Sequence, residues 1–158
     1  MKHLMVAAFL GLLAFSAVRA QKDDTAKFAP CNAANVYRVD DTLLADKGYG
    51  SAALVETNPN YKGGQEALQK YFDENLKLGE EATRVFGRIP IAFTVNCNGK
   101  VGDFKFIGKI LPEMAEEIIK QAKEMPDWDA GLVATKAVDT YVRLNFTIMG
   151  GKAKVDFK

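Results

Sequence analysis

Histidine and serine are almost missing from this chain of 158 residues. The single histidine is His3, and beyond residue 20 the only serine is Ser51. A serine nucleophile usually needs a neighbouring general base, most often histidine. The common hydrolase triads are therefore excluded.

Acidic pairs are the remaining candidates for chemistry. They occur at Glu80-Glu81, at Glu116-Glu117 and on either side of Trp128, as Asp127 and Asp129. General acid–base catalysis needs two carboxyl groups in different environments across a cleft, whereas Glu116 and Glu117 are typical of a solvated helix face. Asp127 and Asp129 supply too few ligands for a calcium loop. We expect no catalytic residue, no metal site and no cofactor; an enzyme or small-ligand carrier remains the alternative.

An excess of charge of one sign is also missing, with 21 basic and 20 acidic side chains. Without a basic stripe the chain lacks the electrostatic footprint of a nucleic-acid-binding protein. We therefore expect no nucleic-acid partner.

Long apolar runs are confined to the start of the chain. Lys2 and His3 precede an apolar run from Leu4 to Phe15, and small residues stand at −3 and −1 of a cleavage site after Ala20. This pattern predicts a secretory signal peptide over residues 1–20. An uncleaved anchor is the alternative, although a membrane span needs about 20 apolar residues. No later segment is long enough to span a membrane, so we expect a periplasmic or secreted protein.

Cysteine is scarce. Cys31 and Cys97 are the only two, and they do not form a CxxC motif. In an exported chain two cysteines favour a disulfide. A redox-active or metal-bound pair is the alternative, and it lacks any histidine to assist it.

After the predicted signal peptide the chain divides by pattern into three parts. Residues 21–62 have weak periodicity and are interpreted as a partly ordered N-terminal arm after the signal. Residues 63–149 read as helix, hairpin, helix and strand, and residues 150–158 form a tail. The apolar stripe of the first helix comprises Ala67, Leu68, Tyr71, Phe72 and Leu76, and that of the second comprises Met114, Ala115, Ile118, Ile119, Ala122 and Met125.

Three strands are predicted within residues 63–149. Ile89 to Val95 alternates, Asn98-Gly99 is a hairpin signal, and Val138 to Ile148 alternates strictly. Val101 is out of phase with Phe104 and Phe106, which predicts a bulge near Gly102. The fold class expected is α+β, with a three-stranded antiparallel sheet in the order second, first, third and two helices packed on one face. Its third strand would be an open edge.

Several short motifs in this order resemble the C-terminal domain of TonB-type energy transducers, in the form common in secreted and periplasmic proteins of Bacteroidetes. The resemblance covers about residues 54–149. The matching pieces are Tyr61 to Leu68, Asn75-Leu76-Lys77, Gly87 with the alternating strand, Asn98 to Val101, Met125 to Trp128, Gly131, and Lys136-Ala137-Val138.

The resemblance implies a non-enzymatic binding module that adds an extended segment of its partner to the sheet edge. The partner would be an outer-membrane receptor or another exported protein. The matching edge is the last strand, where the partner-binding candidates are Tyr141, Arg143, Asn145 and Thr147. The outward face of the same strand is a second possible surface.

The chain also departs from the transducers. It has a short signal in place of an anchor and lacks the Pro-rich spacer, so energy transduction is not expected. An accessory role in TonB-dependent transport remains an alternative.

The tail bears on whether that edge is free. Gly150-Gly151 suits a two-residue hairpin turn, and Ala153, Val155 and Phe157 alternate behind it. The tail either folds back onto the last strand or is a frayed terminus.

Overall fold

The computed structural model describes residues 28–32, 34–39 and 52–157. Within these ranges the protein is a mixed α+β structure with two α-helices and nine strands. The helices are α1 (Gly64–Asn75) and α2 (Pro112–Lys123), and a 3₁₀ helix spans Glu80–Arg84. The strands are β1 (Tyr37–Arg38), β2 (Asn60–Tyr61), β3 (Phe86–Val95), β4 (Val101–Phe106), β5 (Trp128–Asp129), β6 (Gly131–Val133), β7 (Lys136–Val138), β8 (Thr140–Met149) and β9 (Lys152–Phe157). The signal peptide predicted for residues 1–20 lies outside the described residues.

The main sheet is built around β3 and β8, which pair antiparallel over ten residues from Phe86↔Met149 to Val95↔Thr140. Its order is β1-β8-β3-β4, and β9 also pairs with β8. The β3–β4 hairpin is closed by Asn96 N–H donating to Lys100 O at 2.8 Å, and Gly99 adopts φ 77°. The loop therefore has three residues, with glycine in the left-handed position.

The predicted bulge is confirmed. The register of β3 and β4 shifts between Ala92 and Thr94, and Asp103 of β4 adopts a φ of 54°. The extra residue in β4 returns Phe104 to the buried side, where its ring stacks on Phe93 at 5.4 Å between centroids.

Both helices pack on one face of the sheet, as predicted. The core there joins alternate residues of β3 and β8 to Leu68 and Phe72 of α1 and to Met114 and Ile118 of α2. Tyr71 of α1 donates a hydrogen bond to Gln121 O of α2 at 2.9 Å, which links the helices directly. Burial raises the pKa of the Tyr71 hydroxyl to about 12, with Glu124 adding to the effect.

Trp128 lies in this core. Its ring meets Phe93 and Phe157 edge-on, with centroids 5.3 Å away in each case, and Tyr61 at 5.5 Å. Aromatic rings in such edge-to-face contact contribute about 0.5–1.5 kcal/mol beyond the area that they bury. Trp128 is thus a structural residue that joins helix, sheet and tail.

The prediction of a three-stranded sheet is wrong, because the main sheet has five strands. One added strand is β9, from the tail. Gly150 and Gly151 adopt φ values of 56° and 80°, the left-handed pair that a type I′ hairpin turn requires, and β9 then pairs with β8 from Met149↔Lys152 to Leu144↔Phe157. Of the two alternatives for the tail, the structure shows the one in which it folds back onto the last strand.

The other added strand comes from the N-terminal arm. Tyr37 and Arg38 form β1, parallel to Thr140 and Tyr141 at the start of β8. The predicted disulfide between Cys31 and Cys97 is present, with the Cα atoms 6.0 Å apart. Neither helix of the described part has the length and apolar character that crossing a bilayer requires.

Candidate functional site: the outer face of the sheet

The sheet face turned away from the helices carries the predicted partner-binding residues. Alternation along the strands places Tyr141, Arg143, Asn145 and Thr147 of β8 on this side, while Val142, Leu144, Phe146 and Ile148 enter the core. We call this surface the outer face. The side chains on it are Phe86, Arg88, Pro90, Ala92 and Thr94 of β3, Lys105 of β4, the four predicted residues with Met149 of β8, and Lys152, Lys154 and Asp156 of β9.

The prediction that β8 has an open edge is wrong. Tyr141 pairs with Thr94 on one side and Arg38 on the other, and Asn145 lies between Pro90 and Asp156. The physical reason is the glycine pair after Met149, which reverses the chain tightly enough for the tail to occupy the edge. Tyr141, Arg143, Asn145 and Thr147 thus lie on an interior strand.

The next edge, that of β9, is covered by two glutamine side chains of α1. Gln69 accepts a hydrogen bond from Val155 N at 2.7 Å and donates to Ala153 O at 3.1 Å. Gln65 accepts from Phe157 N at 3.3 Å and donates to Val155 O. An amide side chain offers one acceptor and two donors, so it can replace the backbone groups of a further strand. The only sequence signal for this contact is the spacing of two glutamines one helical turn apart.

The edge of β4 is short and irregular. The strand has six residues, its bulge includes Asp103, and Lys105 lies two residues further on. Bulges and charges on a short edge strand are features that discourage pairing with another chain. Among the described strands, none therefore offers a long regular edge to a partner.

One half of the outer face is covered by the N-terminal arm. The Phe28 ring packs so closely on Gly102 that a Cβ there would lie 2.1 Å from the ring. Val39 and Ile107 pack against the buried Ala92. This half of the outer face, near the β3–β4 turn, is therefore part of the protein interior.

The other half is open. Phe86 and Met149 lie directly opposite each other on β3 and β8, and 73% and 64% of their surfaces are exposed. Arg88, Lys152 and Lys154 are exposed beside them. We call these five residues the open end. The predicted residue Thr147 lies beside the open end, but none of the five was predicted, because their common location depends on the register of β8 with both β3 and β9.

Some of the titratable groups elsewhere form ion pairs. Lys100 Nζ lies 2.7 Å from Asp127 Oδ1, and Lys120 Nζ lies 3.6 Å from Glu117 Oε2. Burial raises the pKa of the Tyr61 hydroxyl, as it does that of Tyr71, so both remain protonated donors at neutral pH.

Cys31, Cys97 and Asp139 form the one cluster of potential metal ligands in the part of the chain described. Its donor atoms are already used. The two sulfur atoms are bonded to each other, and the Asp139 carboxylate accepts hydrogen bonds from Asn32 N at 2.8 Å and Cys97 N at 2.9 Å. This arrangement stabilises the junction of arm and sheet and does not fit a metal ion.

Comparison with known proteins adds no relative. No family model, no curated protein and no solved structure matches the chain. The resemblance to the TonB C-terminal domain therefore rests on the sequence motifs alone.

Proposed function

We propose that this chain is an exported, non-enzymatic protein-binding module that contacts its partner through the open end of the outer face. The observation that carries the proposal is the pair Phe86 and Met149, two large apolar side chains exposed side by side. Contiguous exposed apolar surface with a polar rim is typical of protein interaction sites. Arg88, Lys152 and Lys154 provide such a rim.

Export is supported by two features. Residues 1–20 have the pattern of a signal peptide, and the Cys31–Cys97 disulfide is of the kind that persists in oxidising compartments.

The outer face is preferred to the edge of β8 for a structural reason. A partner strand added to β8 would have to replace β9, which contributes the buried Val155 to the core and the Phe157 ring to the Trp128 cluster. An accessory role in TonB-dependent transport depends on the same edge and is the less supported alternative.

Site-specific photo-crosslinking tests the proposal. A photoreactive residue would replace Phe86 in the full chain expressed in its native host, and a matched variant would carry it at Glu113, an exposed position on α2. We expect one or a few proteins to crosslink from position 86 and not from position 113. Adducts that are the same from both positions, or their absence from both, would contradict the proposal.

The captured protein would then be purified and its affinity measured. Phe86→Ser should weaken binding about tenfold or more, the loss expected when an anchoring aromatic is removed from an interface. Because Phe86 is exposed, this variant should keep the melting temperature of the wild type.

A further inference from the structure

The open end combines its apolar pair with positive charge. We propose that the segment bound there is acidic: an extended peptide of the partner protein that carries several carboxylates and at least one apolar side chain. This inference rests on the proposed function and specifies the chemical class of the partner.

The first support is the segregation of charge. The chain as a whole is nearly neutral, yet the open end of the outer face carries three exposed cations, Arg88, Lys152 and Lys154. Asp156 is the carboxylate on the outward side of β9, and it accepts a hydrogen bond from Asn145 Nδ2 at 3.1 Å. On the opposite side of the sheet the two helices carry more acids than lysines, with Glu66, Asp73, Glu74, Glu113, Glu116 and Glu117 against Lys70, Lys120 and Lys123.

The second support is the arrangement of the charges in rows. Arg88, Thr147 and Lys154 are register partners across β3, β8 and β9, so the two cationic Cα positions are about two strand spacings, or 10 Å, apart. The next row is Phe86, Met149 and Lys152. In an extended peptide with the polyproline II conformation, residues three apart lie on the same side and about 9 Å from each other, so their carboxylates match the cationic pair while an apolar side chain meets Phe86 and Met149.

A membrane surface fits this patch less well. Phe86 and Met149 stand on strands at one end of a flat face and not on a projecting loop. Glu80 and Glu81 lie on the 3₁₀ helix joined to the same end by Gly151 N donating to Ala82 O at 3.1 Å. A membrane docked on this end would bring anionic headgroups close to both carboxylates, whereas the acidic side chains of a bound peptide contact only the row of Arg88 and Lys154.

The test measures peptide binding by fluorescence anisotropy, with the mature full-length protein. The probe is a labelled peptide of about 12 residues, about 40 Å when extended. Glutamate occupies every third position, and leucine and threonine occupy the two positions between. A second peptide has lysine in place of glutamate. Vesicles of phosphatidylglycerol form a third arm.

Two charge-reversed proteins with the same net charge complete the design. Arg88→Glu/Lys154→Glu changes the open end, and Lys62→Glu/Lys123→Glu changes two exposed lysines outside the outer face. We expect the wild type to bind the acidic peptide, the first variant to bind it at least about tenfold more weakly, and the control to stay within about twofold. Raising the salt from about 50 to about 300 mM should weaken binding, since it screens charge pairs near the surface.

Each other outcome overturns the inference. An equal loss in both variants would show non-specific attraction. Preference for the lysine peptide or for vesicles would assign a different class of ligand. If the acidic peptide does not bind while a partner still crosslinks from position 86, the acidic class is wrong and the binding module stands.

Discussion

A single aspartate fixes the junction between the N-terminal arm and the sheet. Asp139 is buried and precedes β8. Its two carboxylate oxygens accept hydrogen bonds from the backbone N–H groups of Asn32, which follows Cys31, and of Cys97. Its backbone carbonyl accepts a hydrogen bond from Tyr37 N–H at 2.8 Å. Three remote segments therefore meet at one residue.

We expect Asp139→Asn to lower the free energy of unfolding by about 1–3 kcal/mol. An amide has one acceptor oxygen, so one buried N–H group would face the NH₂ group and lose its partner. Urea unfolding measures the effect, and Asp129→Asn, at an exposed position, is the control. Equal denaturation midpoints for the two variants would contradict this account.

Nothing in the sequence around Asp139 predicts its role, because its partners are 107 and 42 residues away. A local pattern did predict the bulge, since it depends on the phase of Val101 relative to Phe104 and Phe106.

Pro90 is a second residue whose effect depends on partners that are distant in the sequence. The sequence places a residue without an N–H group in a central strand, where it removes a ladder donor. In the structure its carbonyl accepts Ile107 N–H at 2.9 Å, just beyond the end of β4. The two polar groups of one residue in an antiparallel strand point to the same side, so the missing donor does not interrupt the ladder with β8.

At the scale of whole elements, the contact between α1 and β9 explains how a terminal strand avoids being an open edge. The glutamine amides satisfy backbone groups that would otherwise be free to pair with another molecule.

Replacement of both glutamines tests this contact. We expect Gln65→Ala/Gln69→Ala to increase amide hydrogen exchange at Val155 and Phe157 by about tenfold or more, because their acceptors are removed and β9 opens locally. The control is Glu66→Ala/Lys70→Ala, two exposed positions of the same helix. Unchanged protection at Val155 and Phe157 would show that the glutamines do not hold the edge.

Helices and strands were predictable where the pattern of a single segment was sufficient to determine them. Both helices and strands β3, β4 and β8 follow from periodicity within a single stretch of chain. Strand β1 has two residues and β9 lies in a tail with two open interpretations, so their pairing with β8 is decided by tertiary contacts. For that reason the candidate binding site is the outer face of the sheet and not the edge of β8 that the sequence predicts.

At the scale of the whole molecule, the disulfide ties the arm to the sheet across 66 residues of sequence. On the chain-entropy model a loop of this length stabilises the folded state by about 4 kcal/mol. The arm also covers half of the outer face, so the bridge restricts the exposed surface to the open end.

Removing the disulfide should therefore lower the stability of the folded protein. We expect Cys31→Ala/Cys97→Ala to lose about 4 kcal/mol of stability, seen as a clearly lower melting temperature by circular dichroism. Dithiothreitol should lower the melting temperature of the wild type and leave that of the variant unchanged. Two titratable thiols in the untreated wild-type protein would refute the bridge itself.

The position of β9 in the sequence also sets when the chain folds. A ribosome that has released residues only up to Met149 presents β8 without one of its neighbours and a core without Val155 and Phe157. Closure of the core has to wait until Phe157 has emerged, although domains commonly begin to fold during synthesis from their N-terminal side. The nascent chain up to that residue therefore lacks a closed core.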